Sequence, residues 1–130
     1  MDIFATYKRQ LEISRQEFAS IIDGGEVRYT AGGIPRKLRL EVIDGSVVDV
    51  FLASSGKYSY HWERRHIDGS FYRHDNAPHH RWQHIPTFPK HFHNGSEADE
   101  NIEPSQLADH PEEALRQFLS FIREKIIVEG

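Results

Sequence analysis

The order of apolar and polar positions divides the chain into regions of different period. From Asp2 to Asp23, Phe4, Tyr7, Leu11, Phe18 and Ile22 recur at helical spacing, broken by the polar pair Ser14-Arg15. Ser14 followed by Glu17 has the form of a capping box, in which each side chain satisfies a backbone N–H that a helix end leaves free. The pattern predicts one bent helix or two short ones, ended by Gly24-Gly25. From Glu26 onward the period falls to two. Leu38, Leu40 and Val42 alternate with charged residues, and Val48, Val50 and Leu52 do so after Asp44-Gly45. Asp-Gly between alternating runs signals a hairpin, because both residues accept the positive φ of a tight turn. Asp68-Gly69 makes a second such break, so strands are expected over about 36–43, 46–53, 57–67 and 70–75.

Asn76 to Asn94 has three prolines, many aromatics and histidines and no regular period, and reads as one extended loop. Loops of that length are commonly functional. The acidic stretch from Gly95 to Gln106 reads as a surface connection. A terminal helix follows, with Asp109 expected to cap it, Pro111 in its first turn, and Leu115, Phe118, Leu119, Ile122 and Ile126 forming one apolar stripe. The expected fold is α+β: an antiparallel meander of four strands or more, packed on one face by N-terminal and C-terminal helices. At 130 residues the chain suits a single domain, 1–130.

Composition narrows the chemistry. With no cysteine, disulfides, thiolate nucleophiles and cysteine-ligated zinc are excluded. No apolar run approaches membrane-spanning length and the N-terminus lacks the character of a signal peptide, so a soluble, cytoplasmic protein with no membrane partner is expected. The net charge of −4 argues against nucleic acid until its distribution is seen. Gly56 to His93 carries +3 and the remainder −7, and those 38 residues hold eight of the nine histidines. One segment is locally basic and can gain charge near neutral pH.

Three readings compete for the histidine cluster. The first is acid–base catalysis on RNA: one imidazole takes the proton of a ribose 2′-hydroxyl, another protonates the leaving 5′-oxygen, and a cation steadies the phosphate. No cofactor is required. His61, His79 and His91 are the preferred acids and bases, with His80 and His93 in the wider candidate set; Asp75 would orient an imidazole, and Arg73 or Lys90 would face the phosphate. Asn76, Tyr60 and Trp62 would help hold the substrate, the aromatics by stacking bases. The second reading is a divalent transition metal such as zinc on His79, His91, His93 and Asp75. The third is structural, with imidazoles packing the loop and satisfying buried carbonyls. His66 and His84 read as surface residues. On a regular strand Tyr60 and Trp62 share one face and His61 takes the other.

Tyr58-Ser-Tyr-His-Trp62, then Arg73-His-Asp-Asn-Ala-Pro-His-His80, then Thr87-Phe-Pro-Lys-His-Phe-His-Asn-Gly95 resemble, in order and spacing, the TumE-like toxin family of prokaryotic toxin–antitoxin systems. The resemblance spans about residues 36–127, with shared positions His61, Asp75, Asn76, His79, His80, His91 and His93. Lys90 departs from it, replacing the first of two adjacent histidines. The resemblance implies a toxin with a cognate antitoxin, often a helix-turn-helix protein. RNA cleavage follows from the histidine chemistry and the habits of small toxins, by analogy. The preferred expectation is a metal-independent endoribonuclease. The rivals are a non-enzymatic protein- or RNA-binding module and a metal-dependent hydrolase or nuclease; homodimerisation is left open.

Overall fold

The computed structural model describes residues 1–129 and opens on one helix, α1 (Ile3–Glu17). Its cap is Asp2, whose carboxylate accepts from the Ala5 N–H at 3.0 Å. Ser14 is no cap: its hydroxyl donates to the Gln10 carbonyl at 2.8 Å, within the helix. Of the polar break, Ser14 points inward and Arg15 stays exposed. Buried Gln10 donates to the Tyr60 hydroxyl at 3.2 Å and to the Pro111 carbonyl at 3.1 Å, tying α1 to the sheet and to the last helix. Instead of a bend or a second helix, Ile22 begins a strand.

Seven strands follow: β1 (Ile22–Tyr29), β2 (Pro35–Val42), β3 (Val47–Leu52), β4 (Tyr58–Arg64), β5 (Ser70–Asp75), β6 (His91–Gly95) and β7 (Ile102–Pro104). They form one antiparallel sheet in chain order, so the predicted meander is correct in type and extends beyond its four expected members. The strand expected to reach Ile67 stops at Arg64, and a short helix, α2 (Arg65–Asp68), turns the chain into β5. Gly45 and Gly69 take φ of +88° and +82°, as the Asp-Gly breaks require. The expected loop and the acidic connection each contribute a strand, β6 and β7.

The final helix, α3 (Pro111–Glu129), is as expected except for its start. His110 Nδ1 accepts from the Glu112 N–H at 3.3 Å, while Asp109 pairs with Lys90 Nζ at 3.1 Å.

Both long helices cover one face. Leu38, Leu40, Val48, Val50, Tyr60 and Trp62 from the sheet pack with Tyr7 and Ile13 of α1 and Leu115, Phe118, Leu119 and Ile122 of α3. Two buried donors of this core find partners on neighbouring elements: the Leu52 N–H donates to the Tyr7 hydroxyl at 2.8 Å, and Trp62 Nε1 donates to Ser46 Oγ at 2.7 Å. Because strand side chains alternate, Phe51, Ser59, His61, Phe71, Arg73, Asp75, His91 and His93 take the opposite, helix-free face. Over its β5–β6 end folds the segment 76–90. Trp82, only 3% exposed, brings its ring to 6.0 Å from that of His91 and 5.8 Å from that of His93. This second, smaller cluster is what holds the loop down.

Tyr60 and Trp62 are 2% and 0% exposed on the helix-covered face, so they stabilise the fold and cannot stack a substrate base. We expect Trp62→Ala to cost about 3–5 kcal/mol in urea denaturation; a variant of unchanged stability would contradict the core assignment.

Candidate active site

The candidate site grows from strand register. Ser59 pairs with Asp75 and Asp75 with His91; one row along, His61 pairs with Arg73 and Arg73 with His93. Cross-strand neighbours on one face are about 5 Å apart, so a meander gathers residues from distant motifs into a two-row patch. Above it, the folded-back segment supplies His79, Arg81 and Trp82. A hollow of about 260 Å³ opens there, lined by Arg73, Asp75, His79, Arg81, Trp82, His91, His93 and Glu97.

Asp75 is its centre. One carboxylate oxygen, Oδ1, accepts from the Ala77 N–H at 3.0 Å and lies 3.0 Å from His91 Nε2. The other, Oδ2, accepts from Arg73 Nε at 3.1 Å and lies 3.8 Å from His93 Nε2. Burial works to raise the pKa of this carboxyl, but His91, the Ala77 amide and Arg73 outweigh it and bring the pKa down to about 2. Asp75 is an anion at any working pH.

The two imidazoles beside it are pushed in opposite directions. His91 is 1% exposed, and its Nδ1 lies 2.9 Å from the Pro89 carbonyl, which can only accept, so Nδ1 carries a hydrogen. In a neutral ring Nε2 would then present a lone pair to the Asp75 carboxylate. The 3.0 Å approach is too poorly aligned to count as a hydrogen bond, and its weight is electrostatic. Burial works to lower the pKa of His91, but Asp75 and the Pro89 carbonyl leave it raised above 6.5. For His93, burial and then the Arg73 charge bring the pKa down to about 4. Its Nδ1 is buried without a partner, and Nε2 is the nitrogen directed at Asp75. A neutral imidazole and one biased toward imidazolium, ring centres 5.0 Å apart, thus share one carboxylate.

The remaining expected residues divide. Arg73 lines the hollow and also donates to Glu97 at 2.7 Å; His79 is exposed at its rim. His61 lies on the same face but outside the hollow, stacked on Phe71 at 5.2 Å and bonded to Glu63 at 2.9 Å. His80 is exposed and bonded to Gln83. Asn76 is occupied at both ends: its Oδ1 accepts from the Tyr58 N–H at 2.9 Å and its Nδ2 donates to the Gly56 carbonyl at 3.0 Å. Lys90 is directed away, donating to the Leu107 carbonyl at 2.6 Å, so it is not placed to meet a phosphate in the hollow. Arg81, with its guanidinium 4.3 Å above the Trp82 ring, is a cation that the sequence reading did not single out. Its adjacency to a tryptophan in the histidine-rich loop was the available signal.

Asp75, His91 and His93 each bring one donor atom to within 4.8 Å of the others, a carboxylate and two imidazoles that suit a divalent transition metal. His79, expected in that set, lies outside this group. Among the described residues no helix is long and apolar enough to cross a membrane.

A family model described as Toxin TumE matches residues 11–126. No curated protein and no solved structure matches the chain.

His74, on the helix-covered side, has its Nδ1 2.7 Å from Ser105 Oγ and its ring stacked 4.2 Å from that of Phe92. Burial and then the Lys90 charge bring its pKa down to about 4. A histidine with a depressed folded pKa contributes its full stability above 6.5 and loses it as pH falls toward 4. His91, raised, has the opposite sign: its contribution is complete below 6.5 and fades as pH rises through its folded pKa. Folding stability should therefore fall as pH drops from about 6.5 to 4.5, by up to ~3 kcal/mol per depressed histidine at ~1.4 kcal/mol per pKa unit, and the melting temperature should fall with it. His74→Phe should remove part of that fall; an unchanged pH profile in the variant would contradict the assignment.

Proposed function

The chain belongs to the TumE toxin family and is the toxin component of a toxin–antitoxin system, and we propose that it acts by cleaving RNA through histidine acid–base chemistry in the Asp75 hollow. The observation that carries this reading is the pair His91 and His93, two imidazoles on one carboxylate with their pKa values displaced in opposite senses. Such displacement leaves His93 able to accept a proton and keeps a positive charge on His91 beneath the site.

In this mechanism His93 Nε2 is the base that takes the ribose 2′-hydroxyl proton. At neutral pH it is unprotonated, because burial and Arg73 disfavour its charged form. A phosphodiester entering the hollow offsets the Arg73 charge and so raises the basicity of His93 as substrate binds. The 2′-oxygen attacks its own phosphorus, and Arg73 and Arg81 meet the charge on the non-bridging oxygens. His79, exposed at the rim, protonates the leaving 5′-oxygen. His91 is a positioning residue: Asp75 and the Pro89 carbonyl bias it toward imidazolium, and in that form it fixes the carboxylate and adds positive potential beneath the phosphate. Both Asp75 oxygens are already engaged by protein hydrogen-bond donors, which favours acid–base chemistry over ligation.

The compact donor set of Asp75, His91 and His93 is the one observation favouring a second reading, a metal-dependent nuclease. A cognate antitoxin is the expected partner, with a helix-turn-helix repressor as the expected type.

The test is incubation of the protein with total RNA and tRNA, with and without chelator. We expect fragments that persist in EDTA. They should be lost by 100-fold or more in His93→Ala, on the scale typical of a general base, with the variant still folded at the assay temperature although the loss of a buried ring lowers its melting temperature. Loss of cleavage on chelation alone would transfer the chemistry to a metal, and intact RNA with folded protein would overturn the proposal. Because His93 in the free protein stays neutral well below 6.5, kcat/KM for cleavage should also persist at pH 5.5, where an ordinary histidine base is mostly protonated. A rate that falls with an apparent pKa of about 6.5 would assign the base elsewhere.

A further inference from the structure

The hollow can seat a phosphate and a ribose, but the aromatics around it are covered. Trp82 and Phe71 are each 3% exposed, and Tyr60 and Trp62 belong to the other face. RNA-binding sheets hold unpaired bases by stacking them on exposed rings. Among the described residues, Phe51 of β3 offers such a ring on the helix-free face, 40% exposed.

Its position is set by register. Phe51 pairs with Ser59, Ser59 with Asp75, and Asp75 with His91, so Phe51 lies in the same cross-strand row as the centre of the hollow. Two strand spacings separate it from Asp75, about 10 Å, a distance that a short stretch of extended single strand covers. The residue between them is Ser59, small and hydroxylated, so no tall side chain divides ring from hollow. Continuing the β2–β3 register by one residue sets Lys37 opposite Phe51, and Lys37 Nζ remains on this face, 3.4 Å from Asp49. The surroundings are thus a flat ring, a hydroxyl and an ammonium, leading into a hollow with two arginines. A single ring is too little apolar area for a protein partner and enough for one base.

We propose that Phe51 is a base-stacking platform for single-stranded RNA, holding a nucleotide close to the one whose phosphodiester lies in the hollow. The inference rests on the RNA-cleaving reading above and adds a substrate class to it. A base stacked on Phe51 has left its own helix, so duplex RNA should be a poor substrate.

The test uses Phe51→Ala and Phe51→Trp, each also combined with His93→Ala to silence cleavage. Binding of a fluorescently labelled single-stranded RNA is read by anisotropy in the silenced pair. Turnover of long RNA, and of a nucleoside 3′-(p-nitrophenyl phosphate) too short to reach Phe51, is read in the active pair. Phe51→Ala should weaken RNA binding about tenfold, the scale of one base–aromatic stack, and Phe51→Trp should restore it. Turnover of the minimal diester and the melting temperature should not change. If the parent protein binds and cleaves RNA and Phe51→Ala binds it equally well, the platform is overturned while the cleavage reading stands. If the parent neither binds nor cleaves RNA, both fall together.

Discussion

A carboxylate at the end of β5 connects the fold to the chemistry. Asp75 is largely buried, and burial alone would favour its neutral form. It remains an anion because His91, the Ala77 amide and Arg73 converge on it, two of them from its own stretch of chain and one from the neighbouring strand. Arg73 is on the same strand and the same face, Ala77 begins the folded-back segment, and His91 stands opposite on β6. The charge thus turns the chain out of β5 and matches the register of β6. Removing it would leave the buried His91 imidazole without its carboxylate beside the half-buried Arg73 guanidinium, a more costly state than loss of a surface pair.

The same charge gives its neighbours different tasks. Asp75 favours the charged form of His91, whose Nδ1 is already committed to the Pro89 carbonyl. His93 is farther from Asp75, at 3.8 Å, and burial, with the Arg73 charge second, holds it neutral. A proton holder and a proton acceptor arise from two residues separated by one position on a single strand. Around them Arg73 and Arg81 are each balanced by an acid, Glu97 and Asp99, at 2.7 Å. The basic character of the region is therefore local and becomes available when a phosphate displaces those partners, which fits a chain of net charge −4.

Several of these features were legible in the sequence because each depends on local periodicity. The Asp-Gly turns, the alternating runs of β2 and β3, the stripe of α3, and the opposite facing of His61 and Trp62 all follow from spacing. What escaped was set by tertiary surroundings. His91 to His93 does not alternate in burial, because α3 covers one face of β6 and Trp82 the other, and a strand buried on both faces has no period of two. Ser14 and Glu17 have a capping pattern, yet the Ser14 hydroxyl is used inside the helix. Tyr60 and Trp62 were paired on one face, and only the placement of the helices shows that this face is the core. Lys90 resembled a phosphate contact until its ammonium was found on the Leu107 carbonyl.

The most direct test of the account is the chemistry of the RNA ends the protein leaves. Attack by the neighbouring 2′-hydroxyl predicts fragments with 2′,3′-cyclic phosphate and 5′-hydroxyl ends, and no cleavage of the same sequence carrying 2′-deoxy sugars. Fragments with 5′-phosphate and 3′-hydroxyl ends, or equal cleavage of the deoxy strand, would show that water rather than the ribose is the nucleophile. The division of labour between His93 and His79 would then be wrong.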